Sequence, residues 1–193
     1  MTDPKDRFLN AAQKLFSARG LHGVSLADVA GDMAVSKQAI LYHFKTKDRL
    51  FAAVLAQVGA RLAAVLSDVA SREVDDTERV PLLIRALYAH LQDHPDDARL
   101  IARELADNPG RVEQAKALPL NDFLDGCVTV LAAHPATQAV PRPRIRAATY
   151  QLVGAMTFYV ISAPTLGAMW GDDGLKAVDE AFLPVLLEAW GAA

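Results

Sequence analysis

The chain has 193 residues, 52% of them hydrophobic and 22% charged. That leaves ample material for a core and excludes a disordered polyelectrolyte. A formal net charge of −3 excludes a generic polycationic nucleic-acid coat, yet the charge is uneven: residues 1–70 hold nine Lys and Arg against six Asp, and residues 71–193 hold eleven against seventeen. A basic N-terminal module on an acidic body can dock on DNA through one end only.

The single cysteine, Cys127, rules out an intramolecular disulfide framework and suits a reducing compartment. The opening residues, MTDPKDRFLNAAQ, contain no apolar signal core. The most apolar uncharged stretch, Ala147 to Ala168, still holds Thr149, Gln151, Thr157, Ser162 and a Pro-Thr-Leu-Gly turn, which favours a buried helix over a membrane span. A soluble, cytoplasmic protein without a membrane partner is expected.

Strand signals are nearly absent and helical periodicity runs throughout, so the expected class is all-α with about nine helices. Phe8, Ala11, Ala12, Leu15 and Phe16 stripe a first helix that stops near Gly20. Ser25, with Asp28 three residues on, is a capping-box start for a second, and Ser36 is placed to cap a third. Leu26, Val29, Ala30, Met33, Val35, Ile40 and Phe44 give these short helices a common inside.

Thr46 starts a fourth, long helix whose stripe runs from Leu50 and Phe51 to Val69, long enough to leave the first module and stiffen its junction with the second. Polar residues 72–78 separate the parts. A fifth helix buries Leu83, Leu87, Tyr88 and Leu91, with Pro81 in its first turn. Pro95, Asp96 and Asp97 open a sixth that ends at Asn108-Pro109-Gly110, and a seventh covers roughly 111–133. After the proline-rich loop 134–143, an eighth helix spans about 143–162. A break from Ala163 to Gly171 then precedes a ninth, capped by Asp172 or Asp173, with Leu175, Val178, Phe182, Leu186 and Trp190.

Residues 8–51 carry the most specific combination: AAxxLFxxxG in the first helix, SLxDVA opening the second, VSK opening the third, and YHFKTKDRL leading into the fourth. In these motifs the chain resembles the N-terminal domain of the tetracycline-repressor (TetR) family of bacterial transcriptional regulators. The resemblance implies a DNA-binding domain at 1–48 and a helical effector-binding and dimerisation domain at 49–193, with a homodimer through helices eight and nine and a small-molecule pocket within helices four to eight. It also implies that an effector in that pocket alters the spacing of two DNA-binding heads. Two positions depart from the family pattern. Ala34 stands where glycine is usual in the turn between helices two and three, and Leu41 replaces the first of two aromatic positions.

Phosphates position a protein on duplex DNA and base edges specify sequence. The expected contact set is Ser25, Ser36, Lys37, Gln38, Ala39, Tyr42, His43 and Lys47. At the start of the third helix, Gln38 suits an adenine edge, Lys37 a guanine or phosphate, and Ala39 a thymine methyl. Tyr42 and His43 lie one turn on, toward the sugar-phosphate edge. Lys47 sits in the first turn of the fourth helix, where its charge opposes the helix dipole unless an anion compensates. Ser25 can offer hydroxyl or amide to a phosphate.

The pool for an effector pocket is Tyr88, Phe123, Cys127, Tyr150, Met156, Phe158, Tyr159, Met169 and Trp170, with Arg103, Glu104 or a histidine to orient a largely hydrophobic ligand. His90 and His94, four apart with Asp93 beside them, are too few for a metal site and read as a surface pair at a helix end. Neither GxGxxG nor GxxxxGK[ST] occurs, and no catalytic, metal or cofactor set is expected. The leading reading is therefore a ligand-released repressor on a palindromic operator. The alternatives are an all-helical interaction or dimerisation protein, or a small helical enzyme without DNA readout.

Overall fold

Three helices close around one apolar centre, and the second and third each begin at a serine that satisfies a free amide of the first turn. The computed structural model describes residues 4–106 and 119–190. In it α1 (Pro4–Arg19) packs Phe8, Leu9, Ala12 and Phe16 inward. α2 (Leu26–Asp32) starts at Ser25 with a complete capping box: Asp28 N–H donates to Ser25 Oγ at 3.1 Å, and Ser25 N–H donates to an Asp28 carboxylate oxygen at 2.7 Å. α3 (Lys37–Phe44) starts at Ser36, whose hydroxyl accepts from Ala39 N–H at 3.3 Å, and buries Ile40 and Phe44. Val35 departs from the expected inner set. It lies in the turn between α2 and α3, 38% exposed.

α4 (Lys47–Ser71) carries this centre into the body without interruption. Phe51 meets Phe16 edge-on at 5.0 Å, while Val54, Leu55, Val58 and Leu62 continue the stripe below. α5 (Asp76–Asp93) begins five residues before Pro81, because Asp75 accepts from Thr77 N–H at 2.8 Å and Glu78 N–H at 2.9 Å. Pro81 therefore falls in the second turn and leaves one backbone acceptor without its amide. Arg79 ties this start to the end of α4 through the Val69 and Val74 carbonyls.

α6 (Pro95–Ala106) and α7 (Pro119–Ala133) follow; the expected stop at 108–110 and the stretch 111–118 lie outside the described residues. The eighth and ninth expected helices form one element with a sharp break, α8 (Arg142–Ala189). The expected break over 163–171 shrinks to a single residue. Helix continues over Pro164, at the loss of one backbone bond, and stops at Gly171, whose φ of 74° and ψ of 168° belong to a region that only glycine occupies readily. Beyond Gly171 the chain turns back, so that Phe182 stacks on Tyr159 with ring centroids 4.1 Å apart, and Tyr159 hydroxyl donates to Asp179. Among the described residues there are thus eight α-helical elements, the last made of two helices that meet at Gly171, a short 3-10 turn at Pro135–Thr137 and no strand.

α4 and α8 have the length and hydropathy of membrane spans. The stripe of α4 is closed against α1, α5 and α7. α8 keeps apolar residues outside, among them Met169, Trp170 and Val185.

One polar cluster lies inside this apolar frame. Asp97, in the first turn of α6, is fully buried and receives Arg61 of α4 in a bidentate pair, Nη2 at 2.5 Å and Nε at 2.9 Å. Gln13 of α1 donates to the same carboxylate at 2.5 Å, and His90 of α5 lies 3.0 Å from it through Nε2. His90 is thus an inner partner of Asp97 and not half of a surface pair, although His94 is exposed. Burial by itself would raise the Asp97 pKa. The hydrogen bonds from His90, Arg61 and Gln13 outweigh burial and bring the pKa from 3.8 down to about 2.

Two predictions follow from this geometry. Ala34 adopts φ 53°, a left-handed conformation that costs a residue with a Cβ. Ala34→Gly is therefore expected to raise stability by about 1 kcal/mol, read as a melting point about 2–4 °C higher. Asp97 has its folded pKa lowered, so its contribution is complete above the unfolded value of 3.8 and is lost as pH falls toward about 2. Denaturant titrations at pH 5 and pH 2.5 are expected to show Asp97→Asn lacking about 2 kcal/mol of the parent's acid sensitivity in that window.

Candidate nucleic-acid interface

α3 is held down by Ile40 and Phe44, and the same periodicity turns Lys37, Gln38 and Tyr42 away from the core. All three are exposed, Tyr42 by 73%. Ala39 is half-buried and Ser36 exposed at the helix start. The first turn of α3 therefore presents an ammonium, a carboxamide and a methyl on a capped, rigid helix. This is the donor, acceptor and apolar set that base edges in a major groove can distinguish.

The flanking residues are fixed from the protein side. His43 packs against Phe8 of α1 with ring centroids 5.3 Å apart, and remains exposed. Tyr42 has the Lys45 ammonium 5.5 Å from its ring centroid, and Lys45 also donates to the Tyr42 carbonyl at 3.1 Å. Lys45 belongs to this surface although the contact set above omits it. Its φ of 65° ends α3 and swings the chain into α4, a backbone feature with no glycine or asparagine to announce it.

Lys47 has an inner partner that its sequence position does not reveal: its ammonium donates to the Leu21 carbonyl at 2.9 Å. This bond also relieves the positive charge at the start of α4, and an ammonium has two further donors to offer. At Ser25 the amide is committed to Asp28, so only the hydroxyl proton remains for an outside acceptor. The Ser25 hydrogen bonds hold the Asp28 carboxyl below its ordinary pKa, which keeps the capping box charged and closed.

The residues singled out for an effector pocket separate in space. Tyr88, Phe123, Cys127 and Met156 are packed into the core. Burial pushes the Cys127 thiol up to about 12, leaving it protonated and inert. Tyr88 stacks on Phe182 and accepts from Gln92. Arg103 donates from Nε to the Ser17 carbonyl and from Nη2 to the Ala18 carbonyl, each at 2.9 Å, and so caps the C-terminal end of α1. Trp170 sits half-exposed just before the Gly171 break. Tyr150 and Phe158 share a cleft of about 300 Å³ between α6, α7 and α8.

A capped three-helix head with a free polar face, set on an all-helical body, defines a helix-turn-helix protein. Residues 8–54 match the profile of bacterial regulatory proteins of the tetR family, the same segment whose motifs carry the resemblance. The HTH-type transcriptional repressor Rv3405c of Mycobacterium tuberculosis is 38% identical over 84 residues, which cover 41% of this chain and 44% of that protein. The chain thus spans less than half the length of this curated relative. Over nearly the whole chain the fold is shared with solved regulators. The ketosteroid transcriptional regulator KstR2 of Mycobacterium tuberculosis superposes with a TM-score of 0.69 at 18% identity, covering 98% of this chain and 95% of that one. The regulator FadR of Bacillus subtilis, solved in complex with stearoyl-CoA, does so with a TM-score of 0.65 at 17% identity, covering 94% and 96%. At these identities the likeness shows the fold alone.

The two kinds of contact are separable by substitution. Gln38→Ala is expected to relax discrimination at one base position while leaving non-specific binding unchanged. Lys47→Ala is expected to weaken binding equally on all sequences and to lower the salt slope by about one. Titrations of operator and random duplexes at several salt concentrations check both. Parent-like behaviour of the two variants would remove these residues from the interface.

Proposed function

We propose that the chain is a sequence-specific transcriptional regulator, acting as a homodimeric repressor that a small, largely hydrophobic effector releases from a palindromic operator. The exposed face of α3 carries this reading. Lys37, Gln38 and Tyr42 stand free beside His43 on a helix whose start is capped and whose inner side is locked by Ile40 and Phe44.

In this reading the division of labour falls near residue 48, with readout before it and effector binding and dimerisation after it. The outward apolar residues Met169, Trp170 and Val185 of α8 give a second copy a surface to cover. Two copies related by a two-fold axis present their α3 helices to successive major grooves. Regulation without catalysis and a cytoplasmic setting belong to the same reading. A hydrophobic effector suits the apolar cleft between α6, α7 and α8, and the relatives of this fold named for fatty-acyl and steroid ligands point the same way.

A gel-shift with the DNA upstream of the protein's own coding region tests the reading. The expected result is tight, salt-sensitive binding to a palindrome whose half-site centres lie about 34–36 Å apart, or a little more. Binding that does not discriminate between this DNA and a random duplex would leave only attraction to a basic patch and would end the proposal.

A further inference from the structure

The cleft between α6, α7 and α8 combines two features that packing alone does not explain. Its described lining is apolar or uncharged throughout, with Leu105, Leu124, Val153 and Phe158 on the walls and no lysine, arginine, histidine or carboxylate. Thr157 also lines it, 96% buried, and among the described residues its hydroxyl is, with Gln57 Oε1, one of two buried side-chain polar atoms without a hydrogen-bond partner. The comparable buried threonine in the same helix, Thr149, bonds back to the Ile145 carbonyl at 2.9 Å. A buried hydroxyl without a partner costs stability, so an acceptor or donor that reaches Thr157 from the cleft gains what the chain leaves unmet.

Phe158 and Leu105 hold apolar surface in the open, 69% and 48% exposed, at the mouth of this cleft. Tyr150, 62% exposed, stands two helical turns before Thr157 on α8, about 10 Å along the axis. At about 300 Å³ the space matches the lower end of small-molecule sites. Among the described lining residues an uncharged oxygen has Thr157 to meet, and the cations Arg99 and Arg103 line the adjoining cleft that shares Ala102, Ala106 and Ile161.

We infer that this cleft is the effector site and that its ligand is an uncharged, largely apolar molecule carrying a hydroxyl or carbonyl oxygen, which Thr157 recognises. The assignment rests on the effector-responsive reading above and narrows it to a chemical class. Thr157, with both donor and acceptor capacity, selects for the oxygen. Phe158, Leu105 and Leu124 supply the apolar surface that removes the ligand body from water, and Tyr150 marks the outer end.

Calorimetry on the full chain with 2-naphthol, naphthalene and 2-naphthoate as probes tests the assignment. The parent is expected to bind 2-naphthol about fivefold more tightly than naphthalene, and to bind 2-naphthoate weakest of the three. Thr157→Val, which keeps the shape and removes the hydroxyl, is expected to erase the preference for 2-naphthol and to raise the melting point of the free protein. Thr157→Ser is expected to retain the preference. The assignment is overturned if Thr157→Val binds 2-naphthol as the parent does, or if no probe binds up to its solubility limit. It is also overturned if Phe158→Ala and Tyr150→Ala split the dimer without changing probe binding, since the cleft would then be a subunit contact. A gel-shift on the same preparation separates the two readings. Selective operator binding without probe binding overturns this site alone, whereas Thr157-dependent probe binding without selective DNA binding supports the site and overturns the regulator.

Discussion

The carboxylate of Asp97 is the constraint around which the other elements are set. A charge with no solvent exposure is tolerable only when its partners replace the water it lost, and here those partners come from α1, α4 and α5. Three helices must therefore meet α6 at its N-terminal turn in one register. Apolar packing tolerates sliding of a helix by part of a turn, but a bidentate arginine and a carboxamide around one buried carboxylate do not. The cluster adds specificity of arrangement to a bundle whose apolar burial supplies most of its stability.

This constraint falls where the N-terminal head meets the body. α1 belongs to the head by its packing on α2 and the edge-on contact of Phe8 with Phe44, yet Gln13 and the carbonyls of Ser17 and Ala18 are held by α6. α4 belongs to both, with Phe51 under Phe16 and Arg61 on Asp97 ten residues later. The head is thus fastened to the body at two helices, and the orientation of α3 is inherited from the seating of α1 and α4. A recognition helix needs such seating, since loose presentation would add an entropic cost to every groove contact.

The head was largely legible in the sequence because its signals are local. Ser25 with Asp28, Ser36 with Ala39 and Thr46 with Arg49 are caps readable at fixed spacing, and the inward stripe of α1 follows from period alone. What stayed hidden depends on partners far away in the chain. His90 looked like half of a surface pair because Asp97 reaches it only through the α5–α6 turn, and Arg61 and Gln13 are 36 and 84 residues from Asp97. Lys47 and Leu21 are joined across 26 residues. The aromatic pool for a pocket illustrates the same limit. Period places Tyr88, Met156 and Phe158 on helices, but only the packing of α6 and α7 against α8 decides which of them line a cleft. The break in α8 shows a different limit: the sequence spreads it over Ala163 to Gly171, whereas the backbone yields at Gly171 alone.

α6 joins these themes in one short rod. At about 18 Å for twelve residues it carries Asp97 in its first turn and, in its last, Arg103 on the end of α1 and Leu105 and Ala106 on the cleft wall. A rigid helix transmits displacement from one end to the other without needing a chain of rearranging side chains. A ligand in the cleft acts on the head only if it binds one position of α6 better than another, because equal affinity for both shifts nothing. The cost of moving is set at the far end, where any shift of α6 must carry Gln13, Arg61 and His90 along or leave a buried carboxylate short of partners. A concerted move of α6 with α1, α4 and α5 keeps the cluster intact, and such a move also re-aims α3.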